Sequence, residues 1–425
     1  VEGASSAVAE ASEDQLTAPR ARMASKTVTI ELHDPATDMT REEMLKQVAH
    51  LSNSLRNPEI STDGLKLTFE VDADEADETK RHAQELCALI QRSLRKLERK
   101  VVFRTRAMSS NSIIRGTTAP GDGVIMAGPG QVMLEGAPLQ LFRYFDAALA
   151  KVERNWRTQE LLTPTLIPAD VLAKCDYFRS FPNTVTFACH LEPEASVINA
   201  FRARHEKRTT IDEGALADMA TPEACLSPAV CYHVYHRNQN LTLPAEGIAY
   251  SVRGKCFRYE SSNLREMSRL WDFTMRELVF LGTSEYVLQE RERCVQIIGE
   301  FLDELGLAVE IRTASDPFYI APDASSKTYF QLTAETKYEL SAVLPKDQRL
   351  AIGSLNYHTD FFGRAFDINV DNAGPAFSSC IGFGLERFVC AFLAQHGKNP
   401  QNWPEQVKTA IFSDCELIGD LPRRG

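Results

Sequence analysis

Two alternating stretches, 247–260 and 270–282, flank a polar loop at Ser261–Arg269, and arginines stand at both ends of that loop. Strand-like runs this close in sequence pair back on each other as an antiparallel hairpin. Arg258 and Glu260 are two residues apart, so a strand would put them on one face; Arg269 and Phe273 are four apart on the return strand and would also share a face. Further strands are expected near 328–342, 348–356 and 364–370. The stretch Ser378–Gln395 begins strand-like and turns helical after Gly384. Helices are expected at Pro138–Arg157 and Ser284–Leu305 from their apolar spacing. Helices and antiparallel-looking strands alternate without βαβ regularity, so the fold class is α+β, an antiparallel sheet flanked by helices.

A smaller α+β domain precedes it, residues 26–107, with the order β-α-β-α-β: Thr27–Leu32, Thr40–Leu55, Leu65–Val71, Asp77–Leu97 and Lys100–Arg104. Thr40 with Glu43 three residues on reads as an N-cap pair. A Ser/Gly/Pro-rich stretch from Met108 to Gly130 marks the boundary, with 108–117 as linker and 118–425 as the second domain. Residues 1–25, rich in Ala, Ser and Glu, are expected to form a disordered tail.

The formal net charge of −11 argues against a protein that wraps nucleic acid, because phosphate binding draws on many Lys and Arg. No run of about 18 apolar residues is present, which excludes a transmembrane helix. Ten scattered cysteines without a CxxC pair or secretion signal point to a reducing, cytoplasmic setting, most of them serving as small buried hydrophobes.

The arginines carry the chemistry. A guanidinium grips phosphate oxygens in bidentate fashion, a neighbouring carboxylate can accept from a base amino group, and Phe273 can stack on a purine. Taken singly, each pair also reads as a salt-bridged surface strand. A later Gly382-x-Gly384-x-x-Arg387 adds a third element, and the set suggests a nucleotide triphosphate held by its charges and its base.

In this order and separation, Phe257-Arg258-x-Glu260, Arg269-x-x-x-Phe273 and Gly382-x-Gly384-x-x-Arg387 resemble motifs 2 and 3 of class II aminoacyl-tRNA synthetases, and Glu160-Leu-Leu-Thr-Pro164 resembles motif 1 at their dimer interface. The resemblance covers about 118–425. It implies a homodimer and an ATP site: Arg258 on the α-phosphate, Glu260 on the adenine amino group, Phe273 under the base, Arg269 and Arg387 on the outer phosphates. Arg258 and Arg387 would carry the catalytic charge stabilisation. Lys337 to Pro345 and Ser354 to Phe361 are similar to seryl-tRNA synthetase segments, with Ser341 where that family reads the serine hydroxyl through an acidic residue and Ala351 where an acidic residue helps hold Mg²⁺.

The closer resemblance is to the seryl-tRNA-synthetase-like amino acid:carrier protein ligases. It implies a zinc ion on Cys231, Glu277 and Cys380, with Cys225 as a rival first ligand and Cys256 structural. It implies a small amino acid, glycine or alanine favoured, facing Ser341, Ser354 and Asn356, and ATP used with Mg. The acceptor would be the phosphopantetheine thiol of an acidic carrier protein, docked on the locally basic stretch carrying Arg202, Arg204, Lys207 and Arg208. Two further readings stay open: an atypical seryl-type synthetase, against which stand the acidic balance and two helices too short for a tRNA-binding arm, and a non-catalytic paralogue, against which stands the intact arginine set.

Overall fold

The computed structural model describes residues 24–52, 54–94, 96–109, 121, 123–207, 210–211, 213–260, 264, 266–316, 324–345 and 348–413. The first module comprises β1 (Ser25–Glu31), α1 (Asp38–Val48), β2 (Arg56–Ile60), β3 (Lys66–Asp72) and α2 (Ala76–Leu94). Its three antiparallel strands run β1-β3-β2, and β2, rich in polar residues, had no alternating signal. Val28, Ile30, Leu67, Phe69 and Val71 point to α2, which returns Ala83, Leu86, Cys87 and Ile90. Helix α1 starts earlier than its sequence suggests. The cap is Thr37, whose hydroxyl accepts from the Thr40 amide at 3.2 Å, and Glu43 is drawn into a buried ion pair elsewhere.

The fifth expected strand of this module, β4 (Val101–Arg104), leaves it and pairs with the edge of the large sheet. Its Phe103 packs over Gly299, where a Cβ would stand 2.6 Å from the ring, so the small residue makes the docking possible. The small sheet therefore has three strands, and the chain passes directly from one sheet to the other.

Next come β5 (Val124–Gly128), β6 (Gln131–Leu134), α3 (Gly136–Glu153), β7 (Thr158–Leu162), β8 (Leu166–Pro168), α4 (Ala169–Lys174), α5 (Tyr177–Ser180), β9 (Phe187–Ala188) and α6 (Ala195–His205). They are followed by α7 (Glu213–Leu216), β10 (Ala224–Leu226), α8 (Cys231–Arg237), β11 (Thr242–Leu243), β12 (Ile248–Phe257), β13 (Asp272–Gly282) and α9 (Ser284–Glu304). The last third holds β14 (Val309–Thr313), α10 (Ala324–Thr333), β15 (Lys337–Val343), β16 (Arg349–Tyr357), α11 (Phe361–Ala365), β17 (Asn369–Val370), β18 (Gly374–Pro375), β19 (Phe377–Gly384), α12 (Leu385–His396) and α13 (Glu405–Ser413). Two strand expectations are corrected. The first half of 328–342 is the end of α10, and the first part of 364–370 belongs to α11, where Phe362 and Phe366 fall one helical turn apart and both pack inward.

The large sheet has the order β4-β14-β15-β16-β19-β13-β12-β7. Every pair in it is antiparallel except β7 with β12. Alternation divides its side chains between two cores. Leu278, Phe280, Leu340, Leu355, Ile381 and Phe383 pack under α3, α9 and α12, with Phe145, Leu302, Phe388 and Phe392. Tyr250, Val252, Cys256, Val279 and Cys380 face the other way, toward α8 and α11. That second face carries the chemistry.

Candidate active site

Side chains directly opposite one another across neighbouring strands share a face. One row across the sheet reads Glu339, Ser354, Gly382, Glu277 and Val252; the next reads Lys337, Asn356, Cys380, Val279 and Tyr250. Glu277 and Cys380 thus meet diagonally on adjacent strands. Gly382 lies between Glu277 and Ser354, and a Cβ there would stand 2.6 Å from Met275 Cε and 3.5 Å from Glu277 Cγ, so its lack of a side chain keeps the floor open.

Cys231 opens α8 and comes down onto this floor. Its backbone N–H donates to Glu277 Oε2 at 3.2 Å. Donor atoms of Cys231, Glu277 and Cys380 all lie within 4.8 Å of one another, and all three residues are buried. Tetrahedral coordination at ordinary Zn–S and Zn–O lengths needs ligand atoms roughly 3.5–3.8 Å apart, which falls within that limit. The electrostatics favour a cation. The Cys231 thiol donating to Cys380 holds Cys380 well below the ordinary thiol value, and His358 adds to this against the effect of burial. The same hydrogen bond, then burial, holds Cys231 well above it. Burial first, and then the Cys380 charge, push Glu277 up to about 8. Three acidic groups in one dry pocket cannot all ionise without a positive partner. Cys225 lies apart, in the small sheet β8-β10-β9, and Cys256 is a buried strand residue opposite Phe273.

Around this trio stand further polar groups. His358 Nε2 lies 3.8 Å from Cys380 Sγ, and its Nδ1 is 3.3 Å from the Tyr235 hydroxyl and 3.2 Å from Ser378 Oγ. The amide of Asn356 donates to Cys380 Sγ at 3.5 Å and to Ser354 Oγ at 3.1 Å, while its buried Oδ1 has no hydrogen-bond partner. Ser354 and Asn356 were expected here from the resemblance; His358, two residues further on, was not. Ser341 is wholly buried on the same face, opposite Ala351 and Glu310, with its hydroxyl unpaired.

The arginine motifs converge beyond the strand ends. Arg258 and Glu260 lie past β12 and Arg269 lies before β13, so only Phe273 sits on a strand; the expectation of paired strand faces is corrected. Between the two strands these residues have left the ladder, apart from the Arg258 amide, which still donates to the Trp271 carbonyl at 3.0 Å. Arg258 Nε donates to the Pro228 carbonyl at 2.9 Å, and its guanidinium lies 5.5 Å over the Phe273 ring. Arg387, in the first turn of α12, donates to the carbonyls of Ser268 at 2.9 Å and Ala351 at 3.1 Å. Glu260 pairs with Arg269 at 3.4 Å. Burial alone would raise the Glu260 carboxyl, but Arg269, Arg387, His50 and Arg258 together bring it below its ordinary value. Arg258, Arg269 and Arg387 gather positive charge around Glu260, an arrangement suited to a polyanion.

Helix α6 carries the basic stretch and has no buried residue. Arg202 and Lys207 are exposed, Arg204 pairs with Asp218, and Arg208 lies outside the described residues.

An antiparallel sheet carrying an arginine-bearing hairpin beside a strand-to-helix Gly-x-Gly-x-x-Arg defines a class II synthetase core. Residues 218–396 match the family model described as tRNA synthetase class II core domain (G, H, P, S and T). Amino acid--[acyl-carrier-protein] ligase 1 of Bradyrhizobium diazoefficiens is 33% identical over 269 residues, 62% of this chain and 80% of that protein. The chain belongs to this ligase family. A type-2 serine--tRNA ligase of Methanococcus maripaludis is 26% identical over 305 residues, 69% of this chain and 58% of that protein. Among solved structures, M. kandleri SerRS in complex with A. aeolicus tRNASec shares the fold, with a TM-score of 0.65 at 21% identity over 94% of this chain and 79% of that one. The enzyme is therefore a class II synthetase-like, ATP-dependent ligase. No helix among the described residues is long and apolar enough to cross a membrane.

Proposed function

We propose that the protein activates a small amino acid, glycine or alanine, as its adenylate and transfers it to the phosphopantetheine thiol of a carrier protein. The observation that carries this reading is the nearness of the arginine cluster, through Arg258, to the buried Cys231–Glu277–Cys380 trio, since the Arg258 charge bears on Glu277. Arg258 holds the α-phosphate and Phe273 the adenine ring, Glu260 accepts from the adenine amino group, and Arg269 and Arg387 hold the outer phosphates. The amino-acid carboxylate attacks the α-phosphorus and pyrophosphate leaves, a step that depends on alignment and on charge compensation more than on a protein nucleophile. The carrier thiol then attacks the acyl carbon and AMP leaves.

Cys231, Glu277 and Cys380 would hold a zinc ion through two thiolates and a carboxylate, and bound there the metal supplies an open position for the substrate's amino group. Asn356, with its unpaired Oδ1 beside Cys380, and Ser354 face the same space; Ser341 lies further along the face. Magnesium would accompany ATP as its counter-ion.

Support for a carrier acceptor comes from family membership and from the exposed Arg202 at the end of α6 and the exposed Lys207 just past it. The exposed motif 1 edge strand, with Leu162 at 92% exposure, supports a homodimer. Pyrophosphate exchange across the amino acids, followed by loading of holo-carrier protein and of tRNA, tests the whole reading; label on tRNA and not on carrier would overturn it. Metal content measured on the isolated protein should fall with Cys380→Ser and with Glu277→Gln. Reversing Arg202 and Lys207 to Glu should slow carrier loading several-fold and leave exchange unchanged; Arg204 is a poorer probe because its loss also frees Asp218.

A further inference from the structure

The module at the N-terminus lies against the catalytic face through one side of α1. Glu42, Glu43, Lys46 and His50 recur at helical spacing and so share a stripe. Glu43, fully buried, accepts from Arg99 at 2.8 Å and from Ser315 Oγ at 2.7 Å. Glu42 accepts from Arg99 at 3.1 Å and from Arg312 at 2.7 Å, and Lys46 donates to the Ser315 carbonyl. Arg312 is directly opposite Glu339, at the end of the row that contains Ser354, Gly382 and Glu277. The helical turn continues past Val48, since the His50 amide donates to the Gln47 carbonyl at 3.1 Å, so His50 extends the same stripe by one turn. There it lies within reach of the charges of Glu260 and Arg269, and its own charge bears in turn on Glu260. His50 Nδ1 is buried with no hydrogen-bond partner. A buried polar atom without a partner is unfavourable, and a bound ligand would supply one.

We propose that α1 is a wall of the ATP site and that His50 is an additional binding residue, donating from Nδ1 to an outer phosphate oxygen of ATP. The proposal rests on the reading of Arg258, Arg269 and Arg387 as the triphosphate site. It makes the first module part of the catalytic unit, because the docked helix supplies a group that the core itself lacks.

The test uses the full chain and measures binding of the β,γ-imido analogue of ATP and of AMP by calorimetry. His50→Ala should weaken the analogue about tenfold, as loss of one hydrogen bond to a charged group does, and leave AMP and the amino-acid KM unchanged. His50→Gln, which can still donate, should restore most of the loss. Equal weakening of AMP and the analogue, or no weakening of either, overturns the proposal. Arg387→Ala separates the two readings: if it abolishes analogue binding while His50→Ala does nothing, only the role of His50 fails; if neither matters, the site reading fails with it. Should the alanine variant not fold, ¹⁵N-histidine spectra of the unaltered protein decide. The analogue, and not AMP, should shift the Nδ1 resonance of His50, and an unmoved resonance overturns the proposal.

Discussion

The Phe273 ring lies under the Arg258 guanidinium, 5.5 Å from centroid to Cζ. Replacing Phe273 with alanine removes a stacking surface of the kind worth about 1–3 kcal/mol per base. Phe273→Ala should raise the ATP KM in pyrophosphate exchange by about tenfold or more, with the amino-acid KM nearly unchanged. A parallel rise in both constants would instead assign the ring a purely structural part. The type of residue and its place on a strand were legible in the sequence; that its arginine partners lie off the strands was not. Arg258 and Arg269 are oriented by backbone carbonyls and by Glu260 rather than by strand alternation.

At the scale of elements, the hairpin β12–β13 is braced from behind by α3. Arg276 donates to Asp146 at 2.8 Å and to Glu153 at 2.9 Å, and Ser251 donates to Glu153 at 2.6 Å. Burial pushes the Glu153 carboxyl up, and Ser251 and Arg276 pull against it. Removing the arginine leaves a buried acid without its counter-charge, at a cost of about 3–5 kcal/mol. Arg276→Ala should lower the denaturant midpoint accordingly, and Arg276→Met combined with Glu153→Leu should recover much of that loss. A double variant no more stable than the single one would mean that packing, not charge, sets the cost. Alternation along β13 foretold that Arg276 and Glu277 face opposite sides. Which side held the helices, and which the site, depended on partners over a hundred residues away.

Across the whole molecule, the joint between the modules is ionic and buried around Glu43. Burial raises its carboxyl, but Lys46, Arg99, Ser315 and Gln47 outweigh it and hold it below the ordinary 4.5. A group depressed in the folded state adds stability that is present above its unfolded value and lost as pH falls through the folded one. The docked arrangement should therefore hold at neutral pH and loosen below about pH 4.5. Hydrogen exchange in α1 should accelerate in that window in the unaltered protein. Glu43→Gln should accelerate it at neutral pH and flatten its dependence on acid. Exchange in α1 that is insensitive to both acid and this substitution would show that apolar contacts, such as Leu332 of α10 in the module's core, hold the joint alone.

Local rules read from the sequence were enough for the antiparallel character of the sheet, the helices α2, α3, α9 and α12, and the residue types of the nucleotide motifs. Periodicity and charge are properties of neighbours in the chain, so they survive without coordinates. Family resemblance added Cys231, Glu277 and Cys380, which the structure brings within 4.8 Å. Their spacings of 46 and 103 residues carry no geometric signal of their own, as the intervals 231–277 and 277–380 show. Tertiary structure alone decided that β4 leaves its own module for the large sheet, that Glu43 serves as a joint rather than a cap, and that His358 and His50 stand beside the site. Each of these depends on strand register and docking between distant segments. The free energy that selects them is burial and ion pairing across the fold, which no window along the chain contains.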